Sequence, residues 1–530
     1  MDGWLVRVRR RGSRGGGWAA LVMIAVVVSA CATAQAAPGL EGPRAAATPQ
    51  PAATQPASAT ASPTATEVPL RALKVAPESG VVGDSFTVTA DGLQAGKAVE
   101  FVWMTWEGSY ETQASSENVE FHDRHYEEKA VSLGQATADS TGKASLRVTT
   151  PEDFGQVHDI YALVDGQKVA RGGYRIARNA TISATEGPVG APITITITGL
   201  GMKPYETLAA ITYDNRYTGF ASGVTNKGTA IFQIRAAGPV GRHVVRAIGS
   251  SHASPYLNVP QSPLAGVLSD FAWVYTVTSD QGAPPDTLDW PDPNRVAPLS
   301  SLASRTSASG VQPAPGVTAN VEPGAGPVLS KATVTARGLP PAGEIDLLWV
   351  TSRGNRVSPS GWSLSETQLG HVTVGQDGAL EASVQVPDDL GGWHVIKLVQ
   401  AGKVLAEVPF RVEASLLGVS PKRVKAGETF TVHLKGVGWT ELDNAFAVTY
   451  DDGYTGYACG FNSNGDIQLT LIATGAPGTH LIDLYPMLYQ GHGKPPWAYQ
   501  MPMLTYARDH PGLALGYRLP AVRAAIEIVE

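Results

Sequence analysis

Thr212-Tyr213-Asp214-Asn215-Arg216-Tyr217-Thr218-Gly219 and Thr449-Tyr450-Asp451-Asp452-Gly453-Tyr454-Thr455-Gly456 are two copies of one segment, 237 residues apart. Across residues 212–243 and 449–480 the copies agree at thirteen of thirty-two positions without a gap, through Gly223/Gly460, Gly228/Gly465, Gly238/Gly475, Gly241/Gly478 and His243/His480. An internal period of this kind decides how many times each element has to be explained. Upstream of the segment, Gly190, Thr194, Gly199 and Gly201 return as Gly427, Thr431, Gly436 and Gly438. A second pair of modules is related in the same way: Pro77, Gly92-Leu93 and Trp103 match Pro323, Gly338-Leu339 and Trp349 at offset 246, and Gly142, Pro151, Gly155, His158 and Gly166 match Gly378, Pro387, Gly391, His394 and Gly402 at offset 236. The order is therefore A-B-A′-B′, and module A carries ten extra residues between Trp103 and Gly142.

Within each module the period is two. Ser85-Phe86-Thr87-Val88-Thr89, Ile193-Thr194-Ile195-Thr196-Ile197, Ala332-Thr333-Val334-Thr335 and Thr429-Phe430-Thr431-Val432-His433-Leu434 alternate apolar with polar side chains, as strands with one buried face do. Asn226-Lys227-Gly228, Asn464-Gly465-Asp466 and Asp377-Gly378-Ala379 supply hairpin turns, because Asn and Gly tolerate positive φ. Strands separated by turns at short intervals, with no helical stretch, give an all-β fold of sandwiches.

The recurring set of an opening proline, a Gly-x-x-x-Thr-Val-Thr-like strand, a Gly-Leu turn, a strand bearing Trp103 or Trp349, and a late Gly-x-His-apolar strand resembles the immunoglobulin-like repeats of bacterial cell-surface proteins. The resemblance covers most of residues 70–261 and 316–490, and it implies four tandem immunoglobulin-like β-sandwiches, a fold class that by itself specifies no ligand. The expected boundaries are a signal peptide at 1–30, a lipidated N-terminus and Ala/Thr/Pro-rich stalk at 31–66, module A at 67–178, module B with an aromatic tail at 179–280, a linker at 281–315, module A′ at 316–414 and module B′ with its C-terminal tail at 415–530. The tails, Phe271 to Tyr275 and Ile526 to Val529 among them, read as edge strands or covers that close each half.

Five arginines between Arg7 and Arg14 precede a thirteen-residue apolar run, Trp18 to Ala30. That run is shorter than the roughly 20 residues a bilayer-spanning helix needs, so it reads as a signal peptide. Val28-Ser29-Ala30-Cys31 resembles the bacterial lipobox, which implies lipidation of Cys31 and attachment to a membrane. Residues 32–66 have no apolar periodicity and read as a solvated, disordered stalk, reaching at most roughly 110 Å in polyproline conformation.

Removing residues 1–30 takes the formal charge from −7 to −11. A surface this acidic, without basic clusters, disfavours nucleic acid. Cys459 has no intramolecular partner once Cys31 is lipidated, so no disulfide is expected. No cofactor and no metal site is read from the sequence: the histidines His158, His243, His394 and His480 fall one per module, where a zinc centre gathers three or four ligands.

Two sets of residues are candidates for ligand binding. Tyr213, Asp214 and Tyr217, repeated as Tyr450, Asp451 and Tyr454, place aromatics beside a carboxylate, which suits stacking on sugar rings with hydrogen bonds to their hydroxyls; the competing reading is a hairpin whose tyrosines pack across strands. The ten-residue insertion of module A puts Trp106, Tyr110 and Tyr126 among glutamates, an acidic aromatic loop of the kind that carries function on a rigid scaffold, or else an elongated hairpin. Glycine-rich stretches lie between strands and not before helices, so neither a P-loop nor a dinucleotide-binding reading survives. The expected function is that of an extracytoplasmic, membrane-anchored lipoprotein without catalytic activity, binding envelope glycans or protein partners, the alternative being an accessory subunit docked on an envelope complex.

Overall fold

A computed structural model describes residues 70–114, 119–203, 206–250, 253–258, 261, 270–289, 313–354, 362–438, 445–460, 463–487, 501–509 and 519–530. Cys31 and the segments expected as signal peptide and stalk lie outside the described residues. Val68–Glu530 is one compact unit.

Each module is a two-sheet sandwich of immunoglobulin-like topology. In module B the alternating strand Pro192–Thr198 lies between Asn179–Ile182 and Ala230–Arg235, forming a three-stranded sheet. The facing sheet runs Glu186–Gly187, Asp270–Val277, Gly241–Ser250, Leu208–Tyr213, Arg216–Ser222. Its two-residue first strand pairs in parallel with the last strand of the module. The same parallel closure recurs at Ser79–Gly80 in A, Ala325–Pro327 in A′ and Arg423–Lys425 in B′. Period-two sequences bury alternate residues here as expected: in Pro192–Thr198, Ile193, Ile195 and Ile197 are buried and the threonines between them are half-exposed. The tails read as edge strands or covers are integral to their sheets, Asp270–Val277 along Gly241–Ser250 and Val522–Val529 along Gly478–Pro486. Among the described residues one short helix, Tyr506–Asp509, interrupts the all-β pattern.

The turns follow their chemistry. Asp214-Asn215 and Asp451-Asp452 both take positive φ, 49° and 61° in one copy and 46° and 58° in the other, the conformation of a two-residue hairpin. Each A module abuts its own B module at a glycine. The Gly155 amide donates to the Leu200 carbonyl (3.0 Å) and the Gly391 amide to the Val437 carbonyl (2.9 Å). A Cβ at Gly155 would stand 1.8 Å from the Gly199 oxygen, and at Gly391 1.9 Å from the Gly436 oxygen, so nothing larger than glycine fits.

Residues 281–315, expected as a linker between the halves, are engaged with B′ over part of their described length. Thr287–Leu288 joins the B′ sheet beside Val522–Val529. Around it, Asp280 accepts from the Thr479 amide and hydroxyl (both 2.7 Å), Asp286 pairs with Lys422 (2.8 Å) and Asp289 with Arg523. Four charged or polar contacts within ten residues tie this stretch to B′, and the halves meet directly.

Candidate functional site: the seam between the two B modules

Leu208–Tyr213 and its counterpart Ala445–Tyr450 are buried at all six positions. A strand in an isolated sandwich buries one face, so each of these has a second covering. That covering is the other B module: Ala445, Ala447, Leu481, Tyr485 and Ala525 of B′ belong to one continuous core with Ala209, Ile211, Tyr213 and Val245 of B. Alanines on both central strands let the sheets come close, and the duplicated hairpins meet across the contact. Tyr217 lies edge-to-face against Tyr454, its own counterpart, with centroids 6.2 Å apart and an interplanar angle of 89°.

The polar chemistry of this seam is asymmetric. Arg235 reaches from B into B′, its Nε donating to Asp483 Oδ2 (2.9 Å), a terminal nitrogen standing 2.6 Å from Oδ1, and the same nitrogen donating to the Ala524 carbonyl (3.1 Å). Both side chains are buried, 8% and 2% exposed. Asp452, at the B′ hairpin turn, is 2% exposed, and neither of its carboxylate oxygens has a hydrogen-bond partner. Burial raises its pKa well above the carboxylate range; the neighbouring Asp483 adds to the rise and Arg235 opposes it. Its counterpart in B, Asn215, is exposed. Burial also raises Asp483, against the pull of Arg235.

A second contact closes the seam from the side. Residues 501–509, in the long connection between Gly478–Pro486 and Val522–Val529, lie along the edge strand Arg216–Ser222 of module B. The Phe220 amide donates to the Pro502 carbonyl (2.9 Å) and the Leu504 amide to the Phe220 carbonyl (2.8 Å), a parallel bridge. Further on, Thr505 Oγ1 accepts from the Ser222 amide (3.0 Å) and Asp509 Oδ1 from the Thr225 amide (2.9 Å). Tyr110 of module A donates its hydroxyl to Asp509 Oδ2 (2.5 Å) and stands 3.1 Å from Ser222 Oγ. Asp509 is thus the point where A, B and B′ join; it is fully buried, and burial pushes its pKa up to about 6 despite the hydrogen bond from Tyr110.

The candidate ligand residues are all found in these contacts. Tyr213 is fully buried, its hydroxyl donating to the Ala237 carbonyl (2.9 Å) and accepting from the Ala237 amide (3.2 Å); Tyr450 makes the matching pair with Thr474 (2.8 and 3.2 Å). Asp214 and Asp451 each hold the histidine of their own module at Nδ1 (2.6 Å) and accept a strand amide, Val244 or Leu481, at the other oxygen (2.9 Å). Of the candidate sugar-stacking residues, Tyr213, Tyr450 and Asp451 are buried in their own modules and offer no face to a ligand, as the hairpin reading expects, whereas Asp214, Tyr217 and Tyr454 remain partly exposed.

The module A insertion is a long two-stranded ribbon, Ala98–Ala114 paired with Val119–Thr137, against Glu344–Gly354 with Trp362–Thr373 in A′. Its candidate aromatics turn inward. Trp106 packs at a tilt on His158 (5.3 Å), Tyr126 lies edge-on to Phe154 (5.5 Å), and Tyr110 is at Asp509. A Cβ at Gly108 would come within 2.0 Å of the Val224 carbonyl of module B. At the base of the ribbon Tyr110 and Gly108 brace module A against B and B′, while Trp106 and Tyr126 pack on their own module and stay partly exposed; the side chains of residues 111–123 lie outside the described set.

All four histidines have structural settings. In each the Nε2 faces the carbonyl four residues earlier: Phe154 (2.6 Å), Pro239, Leu390 and Ala476 (2.8 Å each). In the A modules the ring stacks on a core tryptophan, Trp103 at 4.4 Å or Trp349 at 4.5 Å, whose Nε1 donates to Asp153 (2.8 Å) or Asp389 (3.0 Å). Burial opposes a charge on His480, yet the Asp451 carboxylate outweighs it and raises the imidazole pKa.

Sequence reasoning missed Arg235, Asp483, Tyr485 and Asp509, and gave Asp452 only a turn. A usable signal existed, since Arg235/Ile472, Arg246/Asp483 and Asn215/Asp452 are positions where the two copies differ in charge within an otherwise matching segment.

No known protein-family profile matches the chain. No curated protein matches it either. Among solved structures, the D1-D4 ectodomain fragment of ICAM-5 is similar at 15% identity over 82% of this chain and 99% of that one, with a TM-score of 0.17. Invasin, a bacterial integrin-binding protein, is similar at 13% identity over 78% and 76%, TM-score 0.17. A membrane-anchored protein from Corynebacterium diphtheriae is similar at 11% identity over 64% and 90%, TM-score 0.16. Likeness at these TM-scores carries no argument, and the fold rests on the sheets themselves.

Proposed function

We propose that the chain is an extracytoplasmic, non-catalytic binding or adhesive module, tethered to a membrane by a lipid on Cys31 and presenting its four sandwiches as one rigid body to envelope glycans or surface proteins. The observation that carries this reading is the seam. Three polar groupings among the described residues, Trp-Asp-His in the A modules, Tyr450-Asp451-His480 in B′ and Arg235 with Asp483, are buried inside modules or between them. What faces outward is strand surface and hairpin, the material of recognition and not of a reaction cleft. The leader and Val28-Ser29-Ala30-Cys31 supply the tether.

Two measurements test it. Saturable binding of the chain to purified envelope glycans supports the adhesive reading, whereas no glycan binding together with retention of one stoichiometric complex from solubilised membranes replaces it with the accessory-subunit role. Mass spectrometry of the mature N-terminal peptide should show a diacylglyceryl-modified Cys31; an unmodified cysteine removes the tether from the proposal.

A further inference from the structure

The duplication gives every seam residue a counterpart 237 positions away, so the two faces can be compared position by position. Near the hairpins counterparts meet each other: Tyr217 against Tyr454, and Arg216 against Gly453, where a built Cβ would lie 3.2 Å from Arg216 Cδ. Such self-meeting contacts are what a two-fold pairing of two identical modules would produce. Elsewhere the faces have diverged. Module B has Arg235, Arg246, Asn215 and Ile248 where B′ has Ile472, Asp483, Asp452 and Tyr485. The connection carrying the edge-sealing segment is also longer in B′: Tyr275 pairs opposite His243 in B but Ile526 opposite His480 in B′, which leaves fourteen more residues between the paired strands of B′.

We propose that the seam is a heterotypic recognition surface, in which each B face accepts the face of the other half and rejects a second copy of itself. Setting B against B in the same geometry would bring Arg246, already paired with Asp270 of its own module, to the place of Asp483, so that buried Arg235 would lose its carboxylate and face a second guanidinium. Setting B′ against B′ would put Asp483 and Asp452 opposite Ile472 in place of Arg235, leaving Asp483 with only Arg523 of its own sheet and Asp452 with no cation from the facing module. A buried charge left without its partner costs far more than the pair contributes, so rejection comes from these mismatches and not from the shared apolar contact. The polarity of the side contact acts in the same direction, because in a B–B pair nothing of the length of 487–521 would be there to cover Phe220, which is 3% exposed here.

The test uses the full chain with a protease site placed within residues 290–312. After cleavage, native mass spectrometry across a dilution series should show the two halves as a 1:1 complex, with no dimer of either half with itself. Arg235→Asp should raise the dissociation constant of the cleaved halves by more than about thirtyfold, and adding Asp483→Arg to that chain should recover at least about tenfold of the loss. If Arg235→Asp does not fold, Arg235→Met carries the same comparison without a like-charge contact. Homotypic dimers from the cleaved wild-type chain, or a charge-swapped chain no tighter than the single variant, would overturn the proposal.

Discussion

Asp509→Asn should remove a pH dependence that the wild-type chain owes to one carboxyl group. Asp509 is fully buried at the junction of modules A, B and B′, accepting from Tyr110 and from the Thr225 amide. Burial raises its pKa from 3.8 to about 6. A shift of about two units corresponds to roughly 3 kcal/mol of differential stability. Because the folded value lies above the unfolded one, that stability is fully present below about pH 4 and is lost as the pH rises through about 6. The asparagine cannot ionise, so its junction should be flat across the window: within about 1 kcal/mol of wild type at pH 4.5, the cost of rearranging a hydrogen bond, and more stable than wild type at pH 7.5. The readout is amide hydrogen exchange at Phe220 and Leu504, whose bonds to Pro502 and Phe220 cross the contact, corrected for intrinsic rates. Local opening is read this way without assuming that a multi-module chain unfolds in two states. Equal changes in protection for both proteins between pH 4.5 and 7.5 would refute the argument.

Gly391→Ala should open the A′–B′ junction, since its Cβ has no room beside the Gly436 oxygen; a loss of about 1–3 kcal/mol is expected from overpacking, read as a drop in the thermal midpoint, and an unchanged midpoint would show that the junction yields. Trp349→Phe takes the indole donor from buried Asp389, which keeps only the Leu390 amide (2.9 Å), and should cost about 3 kcal/mol in urea unfolding, more than the same exchange at half-exposed Trp106. His480→Gln should flatten the stability profile above pH 6.5: the raised imidazole pKa means that the contribution of the His480–Asp451 pair is present below the unfolded value and is lost as the pH rises through the folded one, so the midpoints of variant and wild type should converge in mild alkali.

The fold was legible in the sequence because each signal has a local cause. Alternating Ile and Thr at 192–198 fixes which face is buried, and Asp214-Asn215 turns the chain because both residues tolerate positive φ. The seam was harder to see because period two describes a strand covered on one side. Leu208-Ala209-Ala210-Ile211-Thr212-Tyr213 and Ala445-Phe446-Ala447-Val448-Thr449-Tyr450 are continuous apolar runs that end Thr-Tyr, the pattern of a strand covered on both sides. The tyrosine-aspartate turns that follow them read equally well as a ligand loop or as a hairpin, since aromatic rings next to a carboxylate suit an internal contact and an external one alike. Module A's insertion is ambiguous for the same reason: Tyr110 makes a contact within the chain, and composition does not say whether an aromatic ribbon meets the same chain or a partner.

Duplication of an A-B unit creates two B modules with one apolar sheet face each, and every exposed copy of such a face is a site for unwanted association. Pairing B with B′ inside one chain removes both faces at once, and the connection between halves keeps them at an effective concentration that separate chains would not reach. Once paired, the two copies are no longer under the same constraint. An arginine can appear on one side and an aspartate on the other, Asn215 can remain at the surface while Asp452 is buried, and fourteen added residues can seal an edge in one direction only. Each of these changes makes the pairing more specific and the body more rigid, and each places the chemistry out of reach of an outside ligand. On the proposed binding role, a partner meets surfaces that the seam does not use, held at fixed spacing by the seam, and substitutions that loosen the seam should weaken binding through lost geometry even where they touch no partner.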